Sequence, residues 1–167
     1  MDMKKENRRE LIIYISIILF IILLRTFIIT PVRVNGDSMN NTLHNGEILL
    51  LDKISYKFND VDRFDIVVIN YKGERLIKRV IGLPGETLKF SDGKLYINDK
   101  LIKEDYLDEV TNDFIYDGVI KENCYFVMGD NRDDSLDSRY FGCFDKVNIS
   151  GKVNFALFPF SKFGKIN

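Results

Sequence analysis

Ser38 sits in Asn35-Gly36-Asp37-Ser38-Met39-Asn40-Asn41-Thr42-Leu43, between a glycine-containing turn and an apolar residue. A serine hydroxyl is a weak nucleophile until a positioned base takes its proton, so acyl-transfer chemistry at Ser38 needs a partner elsewhere in the chain. Histidine occurs once, as His44, six positions on. Leu43-His44-Asn45-Gly46 reads as an ordinary turn, and nothing in the pattern sets up a Ser-His-Asp geometry. A lysine can replace histidine if its amine is neutral at working pH.

Lys78 is the lysine that strand alternation singles out. In Arg75-Leu76-Ile77-Lys78-Arg79-Val80-Ile81, side chains two apart share a face, so Lys78 points with Leu76 and Val80. Apolar neighbours disfavour its charged form and lower its pKa. A drop from about 10.4 to about 8 corresponds to roughly 3 kcal/mol, within reach of burial. Arg79 cannot serve, because guanidinium does not deprotonate in proteins. Alternation alone also fits an edge lysine that reaches solvent, and by itself favours that reading.

A third segment, Gly129-Asp130-Asn131-Arg132-Asp133-Asp134-Ser135-Leu136-Asp137-Ser138-Arg139, is composed like a solvated acidic turn. It also offers Ser135 and Ser138 as hydroxyls able to orient an amine, with Asp137 and Arg139 as a bracing pair.

These residues need a scaffold, and the chain before and between them indicates what kind. Leu11 to Ile29 is apolar except for Ser16, Arg25 and Thr26. Nineteen residues at about 1.5 Å each reach roughly 28 Å, near the hydrocarbon thickness of a bilayer. The run is longer than a secretory signal's apolar core, and Thr30-Pro31-Val32-Arg33 follows it in place of an Ala-x-Ala site. It reads as an uncleaved transmembrane helix. Lys4, Lys5, Arg8 and Arg9 precede it and only Arg33 follows closely, so residues 1–10 are expected in the cytoplasm and residues 30–167 outside.

Beyond residue 30 no 3.6-residue period persists. Short apolar runs at Gly46–Leu51, Asp65–Tyr71, Arg75–Ile81, Thr87–Phe90, Lys94–Ile97, Lys100–Ile102, Cys124–Met128 and Val153–Leu157 predict strands. Lys72-Gly73-Glu74 and Ser91-Asp92-Gly93 predict hairpin turns, and Leu83-Pro84-Gly85-Glu86 a type II turn. Residues 103–122 read as a surface loop with one short strand. The expected fold class is mostly β, a single antiparallel domain behind a membrane helix.

The 24 basic and 25 acidic residues nearly cancel, leaving no field to recruit nucleic acid. One histidine and two cysteines without ligand spacing predict no metal site. Cys124 and Cys143 are expected as two separate thiols rather than a disulfide, although the outer compartment would preserve one.

The three chemical segments together resemble bacterial type I signal peptidases of the compact Gram-positive type. GDSMNNTL at 36–43, KRVIGLPGE at 78–86 and GDNRDDSLDSRYFG at 129–142 are similar to that family's successive boxes, in the family order, behind an N-terminal anchor. The resemblance implies a membrane-anchored Ser-Lys endopeptidase that removes signal peptides from exported preproteins after small residues, on the outer face of the cytoplasmic membrane. It implies the signal peptidase β fold, no cofactor, and action as a monomer with preproteins and the lipid bilayer as partners. It matches Ser38 to the nucleophile and Lys78, forty positions later, to the general base. Ser135 matches the hydroxyl that orients the lysine, Asp137 and Arg139 a supporting salt-bridged pair, and Gly129 a glycine that lets the lysine stem pass the backbone.

The Ser38 backbone NH matches one oxyanion donor. Some relatives place a serine two residues before the nucleophile as a second donor; here that position is Gly36, so the second donor is unassigned. The resemblance also leaves a self-cleaving Ser-Lys repressor-type protease disfavoured, for want of a DNA-binding region, and a catalytically dead binding module to be tested. Phe155, Phe158, Phe160 and Phe163 near the end offer aromatics for a bilayer surface. Core packing is expected to claim Phe155 and Phe158.

Overall fold

The computed structural model describes residues 3–107 and 109–166, without the side chains of residues 3–6, 24 and 27. Helix α1 runs Met3–Phe27. Its described apolar side chains, Leu11 to Leu23, are exposed all round, and thirteen residues reach about 20 Å. Among the described residues no helix is long and apolar enough to cross a membrane. The helix stops two residues short of the end of the apolar run. Ile28 accepts the Lys53 amide at 3.0 Å and Ile29 pairs with Asp52, because Pro31 ahead lacks the donor a continuing helix requires.

Among the described residues twelve strands follow, all paired antiparallel, which agrees with the expected mostly β class. The larger sheet contains β1 (Ile29–Arg33), β2 (Ile48–Asp52), β3 (Ile66–Tyr71), β4 (Glu74–Gly82), β9 (Cys124–Met128), β10 (Phe144–Asp145), β11 (Ile149–Phe158) and β12 (Gly164–Lys165). Its order is β1-β2-β11-β3-β4-β9-β10, with β12 alongside β11. The smaller sheet runs β7 (Lys100–Ile102), β6 (Lys94–Ile97), β5 (Leu88–Ser91), β8 (Phe114–Ile115). Two one-turn helices, α2 (Ser55–Phe58) and α3 (Ser138–Phe141), complete the elements that bear on the site.

The β3–β4 hairpin forms as the spacing predicts, with Ile66 opposite Arg79 and Tyr71 opposite Glu74. Lys72 and Gly73 both take positive φ, as a two-residue turn matched to strand twist requires. β9 is buried at all five positions because both its faces are covered. Cys124, Phe126 and Met128 pack with Leu88, Phe90, Leu95 and Ile97 of the smaller sheet, while Tyr125 and Val127 pack with Val67, Ile69 and Val80. A third cluster, Val32, Val34, Met39, Leu43, Leu49, Leu51, Ile66, Val68, Val153 and Ala156, fills the other end of the larger sheet.

The segment read as a surface loop is pinned more firmly than its composition suggests. Ile120 and Thr111 are buried, and β8 adds Phe114 and Ile115 to the smaller sheet. Glu104 reaches Arg132, which is itself wholly buried. The last strand also begins four residues earlier than its apolar run, since Ile149 to Lys152 pair with β3.

The two cysteines correct the sequence expectation. Cys124 and Cys143 are joined as a disulfide with Cα atoms 5.6 Å apart. The two-residue strand β10 pairs Phe144 with Tyr125 and Asp145 with Cys124, which brings Cys143 alongside. A strand of two residues is too short for its sequence to show a period.

Candidate active site

Before Arg79, β4 is paired on one side only: β3 covers Glu74 to Arg79, and β9 begins its pairing at Arg79↔Met128. Among the described residues the edge of its first half is therefore open, and so is the outer edge of β1, which pairs only with β2. Although three strands separate them in the sheet, both edges line one cleft of about 280 Å³. The sheet thus curls until the two open edges face one another. Val68 of β3 also lines the cleft, and Ser38 and Lys78 stand among its walls.

Ser38 follows the exit of β1. Gly36, at φ 87°, turns the chain, and its amide donates to the Asn45 side chain at 3.2 Å. Met39 and Leu43, each 1 % exposed, plug the residues after the serine into the core, and Leu43 donates its amide to the Met39 carbonyl at 2.8 Å. Asn131 grips the same turn, its amide on the Ser38 carbonyl at 3.1 Å and its side chain on the Asp37 carbonyl at 3.2 Å. The nucleophile turn is held from two sides, with Ser38 itself half-buried at the cleft.

Lys78 is 3 % exposed, and its Nζ donates to Ser135 Oγ at 3.0 Å. Burial pushes its pKa down from 10.5 to about 8; the Asp137 carboxylate opposes that shift and Arg139 adds to it. Desolvation wins, so the amine is close to half neutral near pH 8. Its buried state removes the alternative of an edge lysine in solvent.

Ser135 is placed by its neighbours in the 129–139 segment. Asp137, with no exposed side-chain surface, accepts the Gly129 amide at 3.1 Å and two Arg139 guanidinium bonds at 2.9 Å each. Asp137 also caps α3 by accepting the Arg139 amide. Ser138, the other hydroxyl in the segment, accepts the Val127 amide at 2.9 Å and so braces β9.

Gly129 continues the β4–β9 register one step past Arg79↔Met128, beside Lys78. A Cβ there would collide with the Ser135 side chain and the Ser38 carbonyl. The nearest approach that requires glycine here is that of those two residues.

Two further groups brace the site through pairings that the sequence does not signal. Arg79, next to Lys78, holds Asp130 through Nε at 2.9 Å and Nη2 at 2.7 Å, both side chains being almost fully buried. Thr42 donates to Asp130 at 2.6 Å, the Arg79 guanidinium bonds the Phe64 carbonyl at 3.0 Å, and it lies 3.9 Å from the Tyr106 ring centroid. Arg132 binds the Gly129 carbonyl, Glu104, Thr111 and Tyr106. Nothing in the local sequence around Arg79 or Asp130 signals that these charges are buried. Only their distant pairing shows it.

His44 lies away from this cleft, beside Lys162 and Glu47. Of the terminal aromatics, Phe155 packs against Phe163, while Phe158, expected in the core, is 47 % exposed next to Phe160 at 81 %. Phe158 sits where β11 leaves the sheet opposite Ile48, with no strand beyond to cover it.

Residues 8–158 match the family described as "Signal peptidase, peptidase S26". The chain is 41% identical over 170 residues to signal peptidase I S of Bacillus subtilis strain 168, covering 93% of this chain and 90% of that one. It is 36% identical over 180 residues to signal peptidase IB of Staphylococcus aureus strain Mu50, covering 96% and 94%. A crystal structure of a signal peptidase I from Enterococcus faecalis V583 superposes with a TM-score of 0.52 at 39% identity, over 56% of this chain and 97% of that one. With the family model matched over most of the chain and relatives covered nearly end to end, the chain belongs to the S26 signal peptidases and is a serine peptidase.

Proposed function

We propose that this chain is a membrane-anchored endopeptidase that cuts signal peptides from exported preproteins after small residues, with Ser38 as nucleophile and Lys78 as general base. The observation that carries the reading is the buried Lys78 amine, lowered to about 8 and bonded to Ser135, in the cleft that holds Ser38. Neutral Lys78 takes the Ser38 proton as the serine oxygen attacks the scissile carbonyl. The ammonium so formed gives that proton to the leaving amine, which departs with the mature chain. Lys78, neutral again, then deprotonates the water that hydrolyses the acyl-serine. Among the described residues the Ser38 amide makes no hydrogen bond, so it is free to donate to the oxyanion.

The open edges of β1 and β4 suit an extended substrate added as a strand between them. Val32, Val34, Val68 and Ile77 line the cleft between these edges, and their bulk favours small side chains pointing inward. Ala-x-Ala places a small residue at each inward-facing position, since strand side chains alternate.

For the anchor, the support is an apolar helix surface with no protein against it. Leu11 to Leu23 expose apolar side chains on every side, a surface that lipid would cover. Within this reading residues 1–10 stay in the cytoplasm, 11–29 span, and 30–167 act outside. Phe158, Phe160 and Phe163 would rest on the bilayer beside the cleft: Phe158 is opposite Ile48, and Ile48 opposite Arg33 on the cleft wall. The test is cleavage of a preprotein bearing Ala-x-Ala by the full chain in detergent, with a serine-directed acylating probe labelling wild type but not Ser38→Ala. A folded protein that neither cuts nor labels would be a binding module instead.

A further inference from the structure

Arg33 and Arg75 line the cleft together with Ser38 and Lys78, and among the described residues no carboxylate lines it. Both arginines are exposed. Among the described residues neither forms a salt bridge. Asp37 and Glu74 are their nearest acids in the chain, and neither reaches the cleft lining. The Arg33 guanidinium rests over Gly46, where no side chain competes for it.

Alternation decides what each arginine meets. Along β1 and the residue after it, Val32 and Val34 are buried while Pro31 and Arg33 are exposed. A substrate strand along this edge alternates in step. Its small residues point in with Val32 and Val34, and the residue between them points out with Arg33. Arg75 lies three residues before Lys78 on the opposite wall, about 10 Å along the strand, so it adds positive charge on the same stretch of substrate.

Resting on the peptidase reading above, we infer that Arg33 and Arg75 make the cleft selective for exported chains with an acidic side chain between the two small residues before the cut, and selective against a basic one there. The pairing would be solvent-exposed, so it is modest and salt-sensitive.

The experiment compares kcat/KM of the full chain in detergent on three peptides that differ only at the x of Ala-x-Ala: Asp, Asn and Lys. Asp should exceed Lys by about tenfold at low salt, the sum of a weak attraction and a weak repulsion, and the ratio should shrink toward one at about 0.5 M salt. Arg33→Gln should remove most of the ratio, Arg33→Gln with Arg75→Gln the rest, and Arg33→Lys should keep it. Equal rates for Asp and Lys, or a ratio unchanged in the double variant, overturn the inference. Cleavage of the Asn peptide by wild type but not by Ser38→Ala tells whether the peptidase reading itself stands, and loss of all cleavage by wild type would remove both.

Discussion

Arg79 and Asp130 close a buried two-pronged salt bridge between the strand residue that follows Lys78 and the loop residue that follows Gly129. The pair fastens the base's strand to the loop that carries Ser135, five residues on. Removing one partner leaves the other charge buried and alone. Asp130→Ala should therefore lower unfolding stability by about 3–5 kcal/mol in denaturant titration, whereas Arg79→Met with Asp130→Leu should recover most of that loss. A double variant as unstable as the single would show that the charges are not the cause.

Lys78 carries a stability cost that mutation can expose. Its folded pKa, about 8, lies below the unfolded value of 10.5, so below pH 8 the fold holds an ammonium it disfavours. The unfolded state binds more protons between the two values, and stability contributed by this group rises with pH from about 8 to about 10.5. At pH 6–7 Lys78→Met should abolish cleavage and raise stability by up to about 3 kcal/mol. A Lys78→Met protein that melts below wild type at pH 6–7 would contradict the burial argument.

Ser135 fixes the Lys78 amine by one hydrogen bond, and a buried bond of that kind is typically worth about 1–3 kcal/mol. Ser135→Ala should cut kcat by roughly 10- to 100-fold, move the rising limb of the pH profile, and leave melting within about 1–2 kcal/mol of wild type. Ser135→Thr, which keeps the hydroxyl, should recover part of the rate. An unaltered pH profile in Ser135→Ala would remove Ser135 from the base's environment.

Cys124 and Cys143 enclose Gly129, Ser135, Asp137 and Arg139 in one covalent loop of nineteen-residue separation. Constraining a loop of that length contributes about 3 kcal/mol in the chain-entropy account. Replacing both cysteines by serine, or reducing the wild type, should lower stability by about that amount. Equal melting of reduced and oxidised protein would place the stabilisation elsewhere.

Much of the site is visible in composition and spacing, because local chemistry writes it there. Ser38 follows a glycine turn, Lys78 alternates with Leu76 and Val80, and the 129–139 segment concentrates the hydroxyls and the Asp137 and Arg139 pair. The β3–β4 hairpin is equally plain, since its turn demands positive φ. Long-range pairing is not visible. Asp130 looks like any loop acid until Arg79 meets it across 51 residues, and Arg132 looks solvated until Glu104 and Thr111 enclose it. The disulfide is hidden for the same reason, as it depends on the pairing of a two-residue strand. The open edges that form the cleft follow from where β9 stops pairing with β4, which no local pattern records.

The most direct measurement is the rate of preprotein cleavage at an Ala-x-Ala site against pH, for wild type, Ser38→Ala and Lys78→Ala. Wild type should cut after the second alanine, with a rate that rises through a pKa near 8 as Lys78 loses its proton, and both variants should be folded and inactive. Cleavage by folded Lys78→Ala at near the wild-type rate, or a wild-type rate flat from pH 6 to 10, would contradict the Ser38–Lys78 pair.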